Sequence, residues 1–239
     1  SASNLHMGSA MFRIEHGLDP QEALTQSIAS VKSCARLNPN LWVCRNDLIA
    51  GYLVLADYLA GHAGDPDPIL EATQQELKIL SQFTEERAPI AAQWGSYYAT
   101  AAEAARLRGL DPRPLLAQGL ATLRAQVQVQ PHDGEVLEQL SALLLAQIPW
   151  TLAMGGDVAA LLDEAALLIE RHGQDFPHSP EGSLARTALT ALRADILLRT
   201  GRSPAESLAQ GFAELTAAQK LQPPRTRLQL LKAELLLLK

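Results

Sequence analysis

"GLDPRPLLAQGLATLRAQVQVQP" (residues 109–131) reads as one helix with a capped start and a proline stop. Near-copies begin at Gly17 ("GLDPQEALTQSIASVKSCARLNP"), Gly64 ("GDPDPILEATQQELKILSQF"), Gly155 ("GGDVAALLDEAALLIERHGQDFP") and Gly201 ("GRSPAESLAQGFAELTAAQKLQP"). Aligned, they share one leucine column, Leu24, Leu70, Leu116, Leu162 and Leu208, at a constant step of 46 residues. The turns that open the copies fall near 17–20, 63–66, 109–112, 155–158 and 201–204. A recurrence of this kind is the mark of a repeat array, and it sets the fold before any other feature is weighed.

Each copy opens on a side-chain acceptor. Asp19-Pro20, Asp65-Pro66, Asp111-Pro112 and Ser203-Pro204 put a capping oxygen before a proline, and the fourth copy keeps Asp157 but has Val158 after it. The oxygen accepts from orphan N–H groups of the first turn, where proline has no donor to lose. Asp19 with Glu22 and Ser203 with Glu206 have capping-box spacing. Three residues beyond the leucines stand Ser27, Thr73, Gly119, Ala165 and Gly211, all small; four further on stand Val31, Leu77, Leu123, Ile169 and Leu215, all large. An i, i+3, i+7 set lies on one helical face, so the small column admits a neighbouring helix and the large one fills the space beside it. The helix stops at Pro39, Pro131, Pro177 and Pro223, since the residue before proline leaves the helical region. Glu85 takes that place in the second copy, where Pro89 predicts a longer turn.

A second helix follows each stop. Leu48, Trp94 and Leu140 form its first column, Tyr52, Tyr98 and Leu144 the next, with Ile49, Gly95, Ser141, Thr187 and Ala233 between them. Each unit is therefore two helices of roughly 18 residues, about 27 Å long. No strand pattern or Gly/Ser linker interrupts them. The fold expected is all-α: residues 1–239 as a single right-handed α-solenoid of about five antiparallel helical hairpins, each covering the exposed face of the next. "HMGS" (6–9) has the look of a cloning scar, and the chain reads as a fragment of a longer protein.

Composition agrees. Hydrophobic residues make up 47% of the chain and aromatics only 5%, a mix that favours helix over sheet. With 20 basic against 26 acidic residues, a net charge of −6 and no basic cluster, nucleic acid is excluded as a partner class. No uninterrupted apolar run approaches the roughly 20 residues of a membrane span. The two cysteines, Cys34 and Cys44, flank Pro39 symmetrically. Across a hairpin turn they can form a disulfide or remain two half-buried thiols, and a bridge would favour an extracytoplasmic setting over a cytoplasmic one.

The second-copy and later columns resemble those of tetratricopeptide repeats. Gly119, Leu123 and Pro131, Ala165, Ile169 and Pro177, and Gly211, Leu215 and Pro223 match that family's small–large–proline spacing, and Trp94-Gly95-x-x-Tyr98 is similar to its Leu-Gly-x-x-Tyr. Family units have 34 residues, so the units here are longer by a stretch that falls between the two signatures, as between Tyr52 and Thr73. HEAT-type repeats share the length but not the columns. The long unit with its "G-x-D-P-x-P-x-L" turn also resembles arrays C-terminal to bacterial, myxobacterial-type serine/threonine protein kinase domains. That likeness implies a regulatory or partner-recruiting role within a larger protein; the chain itself has no kinase motif.

The resemblance implies a concave groove lined by the family's first helices, which here are the helices that follow each proline stop. Carried over, its lining is Asn46, Asp47, Ala50, Gln93, Ser96, Glu138, Gln139, Ala142, Ala185 and Ala188. The face is neutral to acidic and built from small residues. It suits a helix or an extended apolar protein segment better than a terminal carboxylate, for which only Arg45 stands near. The function expected is a non-enzymatic protein-interaction scaffold; the alternatives are a helical sensor holding a small ligand between repeats and, less favoured, an α-helical enzyme.

The sharper chemical readings are weak. His172, Asp175, His178 and Glu181 are residue types that metals accept, but they span a turn where polar residues gather anyway. Trp94, Tyr97 and Tyr98 can make an aromatic platform or plain helix–helix core. No nucleophile elbow, phosphate loop or metal motif occurs, so no catalytic residue, cofactor or metal is assigned. "RLQLLKAELLLLK" at the end starts another first helix and is expected to leave Leu235 to Leu238 uncovered, open to further chain or to self-association.

Overall fold

The computed structural model of the chain describes residues 2–82, 87–221 and 225–239. They form eleven helices: α1 (Ala2–Glu15), α2 (Gln21–Leu37), α3 (Trp42–Gly61), α4 (Asp67–Leu80), α5 (Arg87–Leu107), α6 (Arg113–Val129), α7 (Gly134–Ala153), α8 (Ala159–Asp175), α9 (Pro180–Arg199), α10 (Ala205–Gln219) and α11 (Arg225–Leu237). No strand occurs among the described residues, and the fold is all-α. The helix stops assigned to Glu85 and Pro223 lie outside the described residues; Pro89 sits in the first turn of α5.

All five "D-P" turns share one backbone design. The last turn of the preceding helix closes with an N–H donated back five residues: Leu18 to Arg13, Gly64 to Leu59, Leu110 to Ala105, Gly156 to Thr151 and Arg202 to Leu197, all at 2.8–2.9 Å. This is the Schellman closure, which needs a left-handed residue just before the donor. Gly17, Gly109, Gly155 and Gly201 supply it, with φ between +66° and +74°. In the second turn Ala63 holds that place, at φ +57°. The repeat phase thus runs through Ala63 and not through Gly64, the residue the sequence alignment suggested. The side chain two residues on then accepts from the backbone two residues later: Gln21 to Asp19 at 2.9 Å, Asp67 to Asp65 at 3.1 Å, Arg113 to Asp111 at 3.0 Å, Ala159 to Asp157 at 2.9 Å, and Ala205 to Ser203 at 3.4 Å. These are Asx- and Ser-type turns, with the bond reaching one residue short of capping-box geometry. Arg113 also grips Asp111 with its guanidinium and holds that carboxyl at about 2.

The leucine column is set here. The N–H of Leu24, Leu70, Leu116, Leu162 and Leu208 donates to the carbonyl of Pro20, Pro66, Pro112, Val158 and Pro204 at 2.9–3.0 Å, so each leucine begins its helix in the same rotational phase. The small and large columns that follow are buried in every copy. At Gly211 the approach is close: a Cβ there would lie 2.8 Å from the Leu235 side chain. The proline turns repeat as well. Leu41 donates to the Asn38 carbonyl at 3.0 Å, Asp133 to Gln130 at 3.4 Å and Ser179 to Phe176 at 3.0 Å, each with proline between.

By internal contacts the chain forms two compact units, Ser1–Thr122 and Leu123–Lys239, and the boundary falls inside α6. In the first, each helix from α1 to α5 packs on the next, and α3 also meets α5. Its core joins Ile49, Leu53, Leu77, Leu80, Tyr97 and Ala104. In the second, α7 through α11 pack in the same serial way, with α7·α9 and α9·α11 meeting besides. Leu184, Leu208, Leu215 and Leu235 belong to its core. Among the described residues α7 is long and apolar enough to cross a bilayer by length and composition. Its apolar residues are broken up by Glu135, Glu138 and Gln139, so no single run gives that away, and Leu137, Leu140, Leu143, Leu144 and Ile148 are buried in the unit.

One expectation is corrected. Leu235 is not uncovered: it is fully buried against α10, while Leu237 is 86% exposed. Ala233, by contrast, is exposed although its column is otherwise buried. Ile49, in that column, shares a core with Leu70 and Leu77 of α4.

Cys34 in α2 and Cys44 in α3 are joined as a disulfide, with Cα atoms 5.9 Å apart and a separation of 10 residues. Closing so short a loop contributes roughly 2–3 kcal/mol through the unfolded chain. Reduction should lower the denaturant midpoint by that equivalent, and titration of the untreated protein should find no free thiol. Ala63→Gly should raise stability by about 1 kcal/mol, since a left-handed alanine is strained and glycine is not; matched thermal melts check it.

Candidate functional site

The expected groove residues lie on the odd-numbered helices. In the first unit, Asn46, Asp47 and Ala50 stand on α3, and Gln93 and Ser96 on α5, which packs against it. Asp47 is exposed and the other four are half-buried. Partial desolvation by its neighbours pushes the Asp47 carboxyl above its ordinary value.

In the second unit, Glu138 and Ala142 of α7 and Ala185 and Ala188 of α9 line one concavity of about 210 Å³. Gln139 is half-buried beside it on α7 and does not line it. Helical spacing accounts for the grouping, because Glu138, Ala142 and Leu145 lie at i, i+4, i+7 and Glu181, Leu184, Ala185 and Ala188 at i, i+3, i+4, i+7. The alanines leave the room. Leu145, Leu184, Leu230 and Leu231 supply apolar walls, the last two from α11. Leu230 is 61% exposed and Leu231 9%. Glu181 sits in the first turn of α9, where a carboxylate is favoured by the helix dipole, and Glu138 follows the first turn of α7. The site is an apolar trough with two acids toward one end.

Sequence reasoning missed Leu230 and Leu231, yet the signal was present. They stand one repeat step beyond Leu184 and Ala185, and the groove columns were not carried past Ala188. Glu181 was read only as part of the polar turn.

That turn does not gather its residues. The His172 ring is buried against Gly182 and tilts on Phe176 at 5.1 Å. Asp175 is taken by His132, whose Nδ1 lies 2.8 Å from it. No group of three or more metal-ligating side chains occurs among the described residues. Trp94, Tyr97 and Tyr98 do form one aromatic cluster, with ring centroids 5.3–5.8 Å apart. Tyr97 is core, and the Trp94 indole N–H donates to Ser81 Oγ at 3.2 Å, which anchors the cluster to the end of α4.

Compared with known families, curated proteins and solved structures, the chain matches no family model, no curated protein and no solved structure.

His172 gives a pH test of the packing. Desolvation lowers its pKa from 6.5; Glu181 and Asp175 oppose this and Arg186 adds to it. The unfolded chain therefore binds a proton that the folded one refuses, so stability falls as pH drops from about 6.5 toward the folded value. His172→Gln should flatten the urea-midpoint slope between about pH 6.5 and 5. An unchanged slope would refute the assignment.

Proposed function

We propose that the chain is a right-handed, tetratricopeptide-like solenoid of about five long hairpins that serves as a non-enzymatic protein-interaction module. Its resemblance to arrays beside bacterial serine/threonine kinase domains makes it the regulatory, partner-recruiting region of such a protein. The observation that carries this reading is the trough of the second unit, where four of the inferred groove positions converge with four leucines on one apolar concavity. Small residues at Ala142, Ala185 and Ala188 leave space for another chain's side chains, and the leucine walls reward their burial. Such a trough takes an extended or helical apolar segment as i, i+3, i+4 anchors. Apart from the carboxylates of Glu138 and Glu181 the lining is alanine and leucine, and recognition is what it supports.

The test is selection from a random peptide display library on the folded chain, followed by the variant Ala188→Trp, which fills the trough. Selected peptides should share aliphatic anchors, and Ala188→Trp should weaken them by about tenfold or more, equivalent to about 1.4 kcal/mol, without moving the melting temperature. Equal binding by a correctly folded variant would refute the groove as the recognition surface.

A further inference from the structure

The first unit carries a second concavity, on a different face-set of helices, that no part of the interaction reading uses. It measures about 680 Å³ and opens between α2, α3 and α4. Its charged lining is Lys32, Arg36, Arg45 and Glu76, with the Ser33 hydroxyl among them and Ala29, Leu48 and Ile79 as apolar wall. In a chain of net charge −6, three cations thus meet one carboxylate. Arg45 is nearly buried, its side chain 13% exposed, and pairs with Glu76. Its Nε donates to the Pro39 carbonyl at 3.2 Å, which leaves further N–H donors on the same fork. Arg36 Nη2 donates to Ser33 Oγ at 3.3 Å, and the Lys32 ammonium stands 5.5 Å from the Tyr52 ring centre. No carboxylate pairs with Lys32 or Arg36 among the described residues.

The repeat supplies its own control. Three repeat steps along, the same place between α8, α9 and α10 is again a concavity, of about 440 Å³, with Glu170 where Lys32 stands, Gln174 for Arg36, Arg186 for Leu48 and Glu214 for Glu76. There two acids and two arginines, Arg186 and Arg193, balance. The column of Arg45 holds Ala91, Leu137 and Ser183 in the next three copies, all small or apolar and all buried, and the exposed, uncharged Gln229 in α11. Stacking therefore produces the hollow, but it does not require a positive one. With Arg45 offset by Glu76, the surplus is about two positive charges, from Lys32 and Arg36. A phosphate ester carries about −1.5 to −2 at pH 7 with three acceptor oxygens, which matches that surplus better than a carboxylate does. The Cys34–Cys44 bridge adjoins the site, next to Ser33 on one helix and Arg45 on the other, and ties together the two helices that carry the cations. Donors held in place before binding lose less freedom when the ligand arrives.

We infer that the hollow between α2, α3 and α4 is a binding site for a phosphate monoester, held by Lys32, Arg36 and Arg45; the Ser33 hydroxyl donates to the Ala29 carbonyl at 3.0 Å and positions Arg36 by accepting from it. The group can arrive on a small metabolite or on a phosphorylated side chain, and the assay separates the two.

The full chain is titrated with phenyl phosphate, with a short phosphoserine peptide, and with benzoate, all at constant ionic strength, while amide NMR shifts and melting temperature are followed. Phenyl phosphate or the phosphopeptide should shift the amides around Ser33, Arg36 and Arg45 and raise the melting temperature, with benzoate at least about tenfold weaker; whichever phosphate binds tighter names the source. The double variant Lys32→Gln/Arg36→Gln alters two exposed side chains, and its unliganded melt should match the parent's. It should weaken phosphate binding by about tenfold or more. Overturning results are no response beyond that to sodium chloride, equal response to benzoate, or undiminished binding by the double variant. None of these bears on the trough of the second unit, so the two readings fail separately.

Discussion

One backbone hydrogen bond, repeated five times, sets the phase of this molecule. The N–H of each column leucine donates to the carbonyl four residues before it, at the residue that follows the capping Asp or Ser. Upstream, a left-handed residue and the Schellman bond end the previous helix; downstream, the Asx-type bond aims the chain into the next. Because helix rotation is fixed at its first turn, everything at i+3 and i+7 from the leucine falls on a determined side. The buried small and large columns, and through them the odd-helix faces, are consequences of that turn.

Burial then sorts the columns by what covers them. Ile49 is buried in a core it shares with Leu70 and Leu77 of α4, whereas Ala233, in the same phase on α11, is exposed. Leu235 shows the opposite. It belongs to the final helix, yet the small residue Gly211 lets it seat fully on α10. The same economy opens the trough of the second unit. Alanines at 142, 185 and 188 leave an opening that larger residues would close, and α11 walls one side of it with Leu230 and Leu231.

Much of the fold was legible before any coordinates, since period, capping residues, stops and columns are local facts repeated in register. Reading failed where one residue's identity hid its conformation. Ala63 takes the left-handed place that four glycines take elsewhere, so an eye searching for glycine settles one residue late, on Gly64. Of the candidate site, Glu138, Ala142, Ala185 and Ala188 were legible from column carry-over. Leu230 and Leu231 were within reach of the same rule. The pairing of His132 with Asp175 was not, because two turns far apart in the chain carry no mutual signal.

By itself the sequence determined helix, hairpin and period, through interactions that close within a few residues: caps, left-handed closures, proline stops and one-faced columns. Only the tertiary structure decided which faces are covered, which hollows stay open, and which charges meet across them. Lys32, Arg36 and Arg45 share a cavity because the two helices of one hairpin are folded together and the next copy adds Glu76, and Glu138 and Glu181 share a trough because helices from separate copies are brought side by side. The physical reason is range. Hydrogen bonds within a turn are written in adjacent residues, whereas burial and charge depend on neighbours that packing alone assigns.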